Sequence, residues 1–204
     1  MSIKRFNGAG IYGSKSNKAW DQTTTLNDFQ SIATVIVPSG GQASVTFSNI
    51  PQNFTHLQVR VFAQITRATY GTSNLSLRLN GDTGSNYSVH DIYGNGSSAY
   101  GENGSSQNQI LWQDSYGTSA TTNIFGAGII DIFDYANINK YKTVRSLSGV
   151  DVNGTSYNAN GYLTFGSGLW MNTSAVTSLT FGYGNGSGFS QYSSFALYGI
   201  KGAS

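Results

Sequence analysis

The chain has 204 residues with eleven Lys and Arg, nine Asp and Glu, two His, no Cys and a formal net charge of +2. That inventory rules out a disulfide framework and a thiolate metal site, and it leaves few groups able to move protons. Basic residues run thinly from Lys4 to Lys201, without the concentrated face that nucleic acid requires, and no apolar run approaches the ~18 residues of a membrane span.

Residues 1–30 show neither strand nor helix periodicity. They carry Lys4, Arg5, Lys15 and Lys18, with Phe6, Ile11, Tyr12 and Trp20 scattered among polar residues. An extended N-terminal arm is expected, with those four residues as anchors on a neighbouring subunit; a frayed terminus is the alternative. The opening MSIKRFNG lacks the apolar stretch of a secretory signal, so a chain that is cytosolic when made is expected.

From Ile32 the pattern changes and a single domain over 31–204 is expected, a length that one all-β core accommodates. Val35-Ile36-Val37 precedes Pro38-Ser39-Gly40-Gly41, and Val45 and Phe47 precede Asn49-Ile50-Pro51, giving two strands and their turns. Leu57, Val59, Val61, Ala63 and Ile65 alternate with His56, Gln58, Arg60, Phe62 and Gln64, the period of two of a strand with one buried face. Leu75, Leu77 and Leu79 run into Asn80-Gly81-Asp82, after which Tyr87, Val89 and Asp91 share a face, so a hairpin is expected there. Residues 93–123 hold the related tracts Tyr93-Gly94-Asn95-Gly96-Ser97-Ser98 and Tyr100-Gly101-Glu102-Asn103-Gly104-Ser105-Ser106, and read as a long exposed Gly/Ser-rich loop anchored by a short strand at Ile110-Leu111-Trp112. Further strands are expected at 124–133, 142–152, 162–169, 176–183 and 194–200. Prolines at 38 and 51 only, recurrent Asn-Gly pairs and no amphipathic helix point to an all-β antiparallel sandwich, with a jelly-roll as first choice.

Catalytic constellations are weak. In Ser88-Val89-His90-Asp91 the serine and histidine share a strand face while the aspartate points away, and no Gly-x-Ser-x-Gly elbow occurs. Asp131 and Asp134, the obvious pair for glycoside cleavage, lie an odd number of residues apart and so face opposite ways; a turn role suits Asp134 better. Asp82 reads as a turn residue, with a calcium site in the adjoining loops as the alternative. Lys140, Lys142 and Arg145 form the densest basic cluster and read as lysines blunting a solvated strand edge. No enzyme, cofactor, metal or nucleic-acid role is expected. Exposed tyrosines beside glycine turns, among them Tyr93, Tyr100, Tyr116, Tyr183 and Tyr192, suit protein interfaces or sugars. With Trp112, Tyr100 and Tyr116 join the four arm residues as interface candidates.

Three stretches, LNGDTGSNYS at 79–88, DIFDYANINKYK at 131–142 and SFALYGIKG at 194–202, together with SGLW at 167–170, resemble a group of structural proteins from tailed bacteriophages. The resemblance spans roughly the last two thirds of the chain; it implies a virion component and carries no catalytic motif. It joins the polar, charge-poor composition in an expectation of a capsid decoration or cement protein. Such a protein would bridge major capsid or other virion subunits as a homo-oligomer, a trimer, through the arm and a sheet face. A tail-fibre module that binds cell-surface glycan through the 93–123 region is the alternative.

Overall fold

The computed structural model describes residues 28–66, 74–112, 117–118, 123–151, 161–183 and 187–202. Thirteen strands and no helix occur among them: β1 (Phe29–Ile36), β2 (Val45–Phe47), β3 (His56–Ile65), β4 (Leu75–Leu79), β5 (Tyr87–Gly94), β6 (Ala99–Gln107), β7 (Ile110–Trp112), β8 (Gly117–Thr118), β9 (Gly126–Ile132), β10 (Lys142–Val150), β11 (Tyr162–Trp170), β12 (Leu179–Tyr183) and β13 (Ser194–Ile200). They form two packed sheets. The larger has the order β1-β13-β3-β9-β10-β11-β5-β6, with β8 parallel to the end of β3; the smaller has the order β2-β12-β4-β7.

Leaving aside β8 and the pairs β5–β6 and β10–β11, eight strands remain. Counted along the chain, they lie as 1-8-3-6 in one sheet and 2-7-4-5 in the other. That is jelly-roll order, in which successive strands alternate between sheets except the fourth and fifth, which form a hairpin, and the first pairs with the last. The two inserted pairs meet through β11 and β5 and continue the large sheet beyond β9. The large sheet therefore gains four strands while its partner stays at four.

Alternation along β3, β9, β10, β11 and β13 sends Leu57, Val59, Val61, Ile130, Ile132, Val144, Trp170, Phe195 and Leu197 into the space between sheets. Leu75, Leu77, Leu79, Ile110, Trp112, Leu179 and Phe181 meet them from the small sheet. The core continues under the inserted strands because β11 carries glycine where β7 crosses it. A Cβ on Gly166 would lie 2.2 Å from Trp112 Cδ1, and one on Gly168 would lie 2.7 Å from Ile110 Cδ1. Only a residue without a side chain admits that approach.

Several sequence expectations need correction. The 93–123 tract is not one long loop: Tyr93-Gly94 end β5, Ala99–Gln107 is β6, and Ile110–Trp112 is the expected short strand β7. Asn95-Gly96, with Gly96 at φ +83°, turns β5 into β6 as a true hairpin. Its signal was obscured because β6, AYGENGSSQ, is an exposed edge strand with no apolar face to declare itself. The Asn80-Gly81 turn, both residues at positive φ, does not close a hairpin; β4 belongs to the small sheet and β5 to the large one, so this turn carries the chain between sheets. β1 begins at Phe29, two residues inside the expected arm, whose first 27 residues lie outside the described ones.

Candidate interaction surface

Asn80, Asp82 and Tyr87 of the first quoted stretch, Lys142 of the second and Trp170 of SGLW lie at one end of the sandwich, where Lys142 is in register with Trp170 and Trp170 with Tyr87, while 194–202 runs the length of the large sheet. Asn80, at the corner between sheets, accepts from Thr177 N (2.8 Å) and Ser178 N (3.1 Å) at Oδ1 and donates Nδ2 to Ala175 O (2.9 Å). Asp82 accepts from Gly84 N (2.8 Å), Asn86 Nδ2 (2.9 Å) and Trp170 Nε1 (2.8 Å). The Trp170 N–H is the largest influence holding the Asp82 carboxyl below its ordinary value, followed by Asn86; Gly84 adds to it and partial burial opposes it. The Tyr87 hydroxyl, pushed up to about 12 mainly by burial, bonds the backbone of Leu79 and Asp82, and its ring stacks on Trp170. Two acceptor oxygens already engaged by three N–H donors are the reverse of a calcium ligand set.

In the 131–142 stretch, Asp134 sits at φ +48° and pairs with Lys140 Nζ at 2.6 Å, which lowers its pKa. The Tyr135 hydroxyl donates to Pro51 O. Lys142 is fully buried and donates Nζ to the carbonyls of Asn137 (2.6 Å), Lys140 (2.7 Å) and Thr173 (3.0 Å). Burial holds its pKa below the ordinary lysine value. Arg145 pairs with Asp131 at 3.0 Å and lies over the Phe133 ring. The basic cluster is therefore three separate devices on the central strand β10 and the turn before it, and not a lysine-blunted edge as its spacing suggested. Asp131 and Asp134 each serve a different partner. His90 lies on the exposed face and Asp91 on the inner one, as alternation predicted.

Of the interface candidates, Phe6, Ile11, Tyr12, Trp20 and Tyr116 lie outside the described residues. Tyr100 is on edge strand β6, 39% exposed and stacked on Tyr93 at 5.1 Å. Trp112 is a correction: only 2% exposed, it seals the core over Gly166 and offers no surface to a partner. Alternation places its neighbour Leu111 outward and Trp112 inward.

The surface that sequence reading missed is the outer face of the large sheet. Ile129, Leu147, Phe165 and Ile92 are cross-strand partners in register across β9, β10, β11 and β5, forming one straight row. Two residues along the same strands, a second row runs Phe62, Ala127, Gly149, Leu163, Gly94 and Ala99. Ile92, Leu163, Leu147, Phe62, Phe165 and Ile129 are 62, 63, 50, 48, 47 and 42% exposed. Together they leave on the order of 600 Å² of largely apolar surface in water, the upper end for an ordinary monomer. The small residues of the second row leave a trough, and a depression of about 430 Å³ reaches from Gly94 past Gly149 to Ala127 and Phe125. Phe62, stacked on Phe125 at 5.1 Å, closes one end.

The charges bordering this face are already engaged. Arg60 lies over the rings of Phe29 and Tyr198, and Arg145 is paired with Asp131. The sequence did carry a signal: apolar residues stand where alternation calls for polar ones, as with Phe62 among His56, Gln58, Arg60 and Gln64. Comparison with family models, curated proteins and solved structures finds no match to this chain.

Proposed function

We propose that the chain is a non-enzymatic structural subunit of a bacteriophage virion, and specifically a capsid decoration or cement protein that stabilises the shell through contacts between subunits. The observation that carries this reading is the outer face of the large sheet, where six large apolar side chains in two registered rows stand half in water. Apolar surface of this extent loses free energy by remaining wet, and covering it in an assembly recovers roughly 25 cal/mol per Å² before the costs of association. The quoted motif residues support the reading differently: Asp82, Lys142 and Trp170 engage their polar atoms in bonds within the chain.

The virion is accordingly the place of action, the partners are other virion subunits, and the working form is a homo-oligomer. A tail-fibre module binding cell-surface glycan is the second reading; with Trp112 in the core it rests on the stacked Tyr93 and Tyr100. Antibody-gold labelling of intact particles of the source phage tests the first against the second. Label spread over the shell is expected. Label confined to the tail overturns decoration in favour of receptor binding, and particles without label overturn both.

A further inference from the structure

We propose that the outer face of the large sheet is covered by a second copy of this same chain, face to face about a two-fold axis. The proposal deepens the reading above and rests on its assignment of this face as an assembly surface.

The shape of the face decides the partner. On three of its strands a large residue is followed two positions along by a small one: Ile129 and Ala127 on β9, Leu147 and Gly149 on β10, Ile92 and Gly94 on β5. Neighbouring strands lie about 4.8 Å apart and residues two apart in a strand about 6.7 Å apart, so the first row is a ridge and the second a parallel trough on β9, β10 and β5, interrupted by Leu163 on β11 and closed by Phe62 on β3. Consider a two-fold axis lying in the plane of the interface, across the strands and midway between the rows. It lays the ridge of one copy over the trough of the other and, by symmetry, the reverse. Ile129 then faces the second copy's Ala127, Leu147 its Gly149 and Ile92 its Gly94, while Phe165 meets Leu163. An isologous contact requires this self-complementarity of a single patch. Aligned packing of two twisted sheets supplies the geometry.

Charge and area agree. A surface that meets its own copy places each charge near a like charge, and here the two rows carry none except Arg60 at one end, which is already stacked on its own chain's Phe29 and Tyr198; Asp151 lines the depression at its border, beyond Gly149. The six exposed residues, with Ala127, Gly149, Gly94, Ala99 and the polar border of Ser167, His90 and Asn103, approach the roughly 800 Å² that each partner contributes to a stable interface. A three-fold assembly would require two different contact surfaces on every copy, whereas this face supplies both halves of one contact. The trimer expected from the sequence thus gives way to a dimer. A two-fold dimer presents the rest of its surface twice, so it can grip two shell subunits at once.

Sedimentation equilibrium of the purified full chain tests the proposal, with Leu147→Lys in the ridge, Ala127→Arg in the trough, and Ile138→Lys as control. Ile138 is 67% exposed in the turn preceding β10, away from the face. The wild-type chain and Ile138→Lys should sediment at twice the chain mass. Each face variant should weaken dimerisation by about a hundredfold or more, because an unpaired charge would be buried. Far-UV circular dichroism should stay unchanged, and the two variants alter different strands, so one misfolding leaves the other decisive. A monomeric or three-fold wild-type chain overturns the proposal, as does a dimer indifferent to both variants. A monomer that nevertheless labels the shell would sink this inference alone; a dimer missing from particles would sink only the virion reading.

Discussion

At the end of the sandwich where the two sheets are tied, the polar atoms of Asn80, Asp82 and Lys142 meet defined donors and acceptors over 2.6–3.1 Å. On the outer face of the large sheet, Ile129, Leu147, Phe165 and Ile92 stand about half exposed in one row. The first region resolves its costs inside the chain; the second leaves them to be resolved by something else. A residue pattern that stands out in a sequence, such as 79–88 or 131–142, therefore need not mark the working surface. Here it marks bonds that tie strands and turns together at one end of the sandwich.

The largest expected effect lies in the tied end. Lys142→Met keeps an unbranched side chain one atom shorter but removes three charge-assisted hydrogen bonds and strands three backbone carbonyls. Hydrogen bonds to charged groups contribute about 1.5–3 kcal/mol each and are not additive, so a loss of about 3 kcal/mol or more is expected. In a domain of this size that lowers Tm by roughly 10 °C, which differential scanning calorimetry would register. A shift of a degree or two would mean that the tied end is not what holds the sheets together.

Gly166→Ala sharpens the contrast between the two faces of one strand. The added methyl falls 2.2 Å from Trp112 Cδ1 and 2.8 Å from Ser146 Oγ, so β7 must move off β11. Overpacking of this kind costs about 1–3 kcal/mol. Urea unfolding should show the loss, and Trp112→Phe, which trims the indole at the clash, should recover part of it; no recovery would place the strain elsewhere.

These two sites show what was legible in advance. Strands β3, β9, β10, β11 and β13 announce themselves through alternation, and their number and turns imply a sandwich. Strand β6 does not, because an edge strand polar on both faces has no period to detect. The Asn80-Gly81 turn misled because two left-handed residues permit a hairpin but cannot specify one; the capping of Thr177, Ser178 and Ala175 by Asn80, remote in sequence, fixes it as a corner between sheets. The outer face was hidden for a third reason. The residues of its first row are separated by up to about 70 positions, and only register across four strands turns scattered Ile, Leu and Phe into a row.

Acid provides a milder test of the tied end. Its hydrogen bonds hold the Asp82 pKa below the unfolded value, so the stability it contributes is fully present above the ordinary aspartate pKa near ~3.9 and is lost as pH falls through the lowered folded value. Asp82→Asn cannot titrate. It should be less stable than wild type at neutral pH, with the gap in urea midpoints narrowing as pH falls below about 4. A gap that stays constant into acid would show that the ionised carboxylate adds nothing beyond its shape.

The smallest expected effect bears hardest on the comparison. Ile92 and Leu163 are more than 60% exposed, so replacing each with Ser removes little apolar surface that folding had taken from water. On the core face such substitutions would open cavities and cost several kcal/mol; here the folded and unfolded chains wet these side chains to similar degrees, leaving only a modest difference in strand preference. Dimerisation would confuse the measurement by adding a concentration-dependent term, so it belongs in the Ala127→Arg background, where the second copy no longer contributes. There the double variant Ile92→Ser, Leu163→Ser should unfold within about 0.5 kcal/mol of its parent. A loss above ~2 kcal/mol would show these side chains to be covered by residues of their own chain, and the outer face would then belong to the fold as fully as the tied end does.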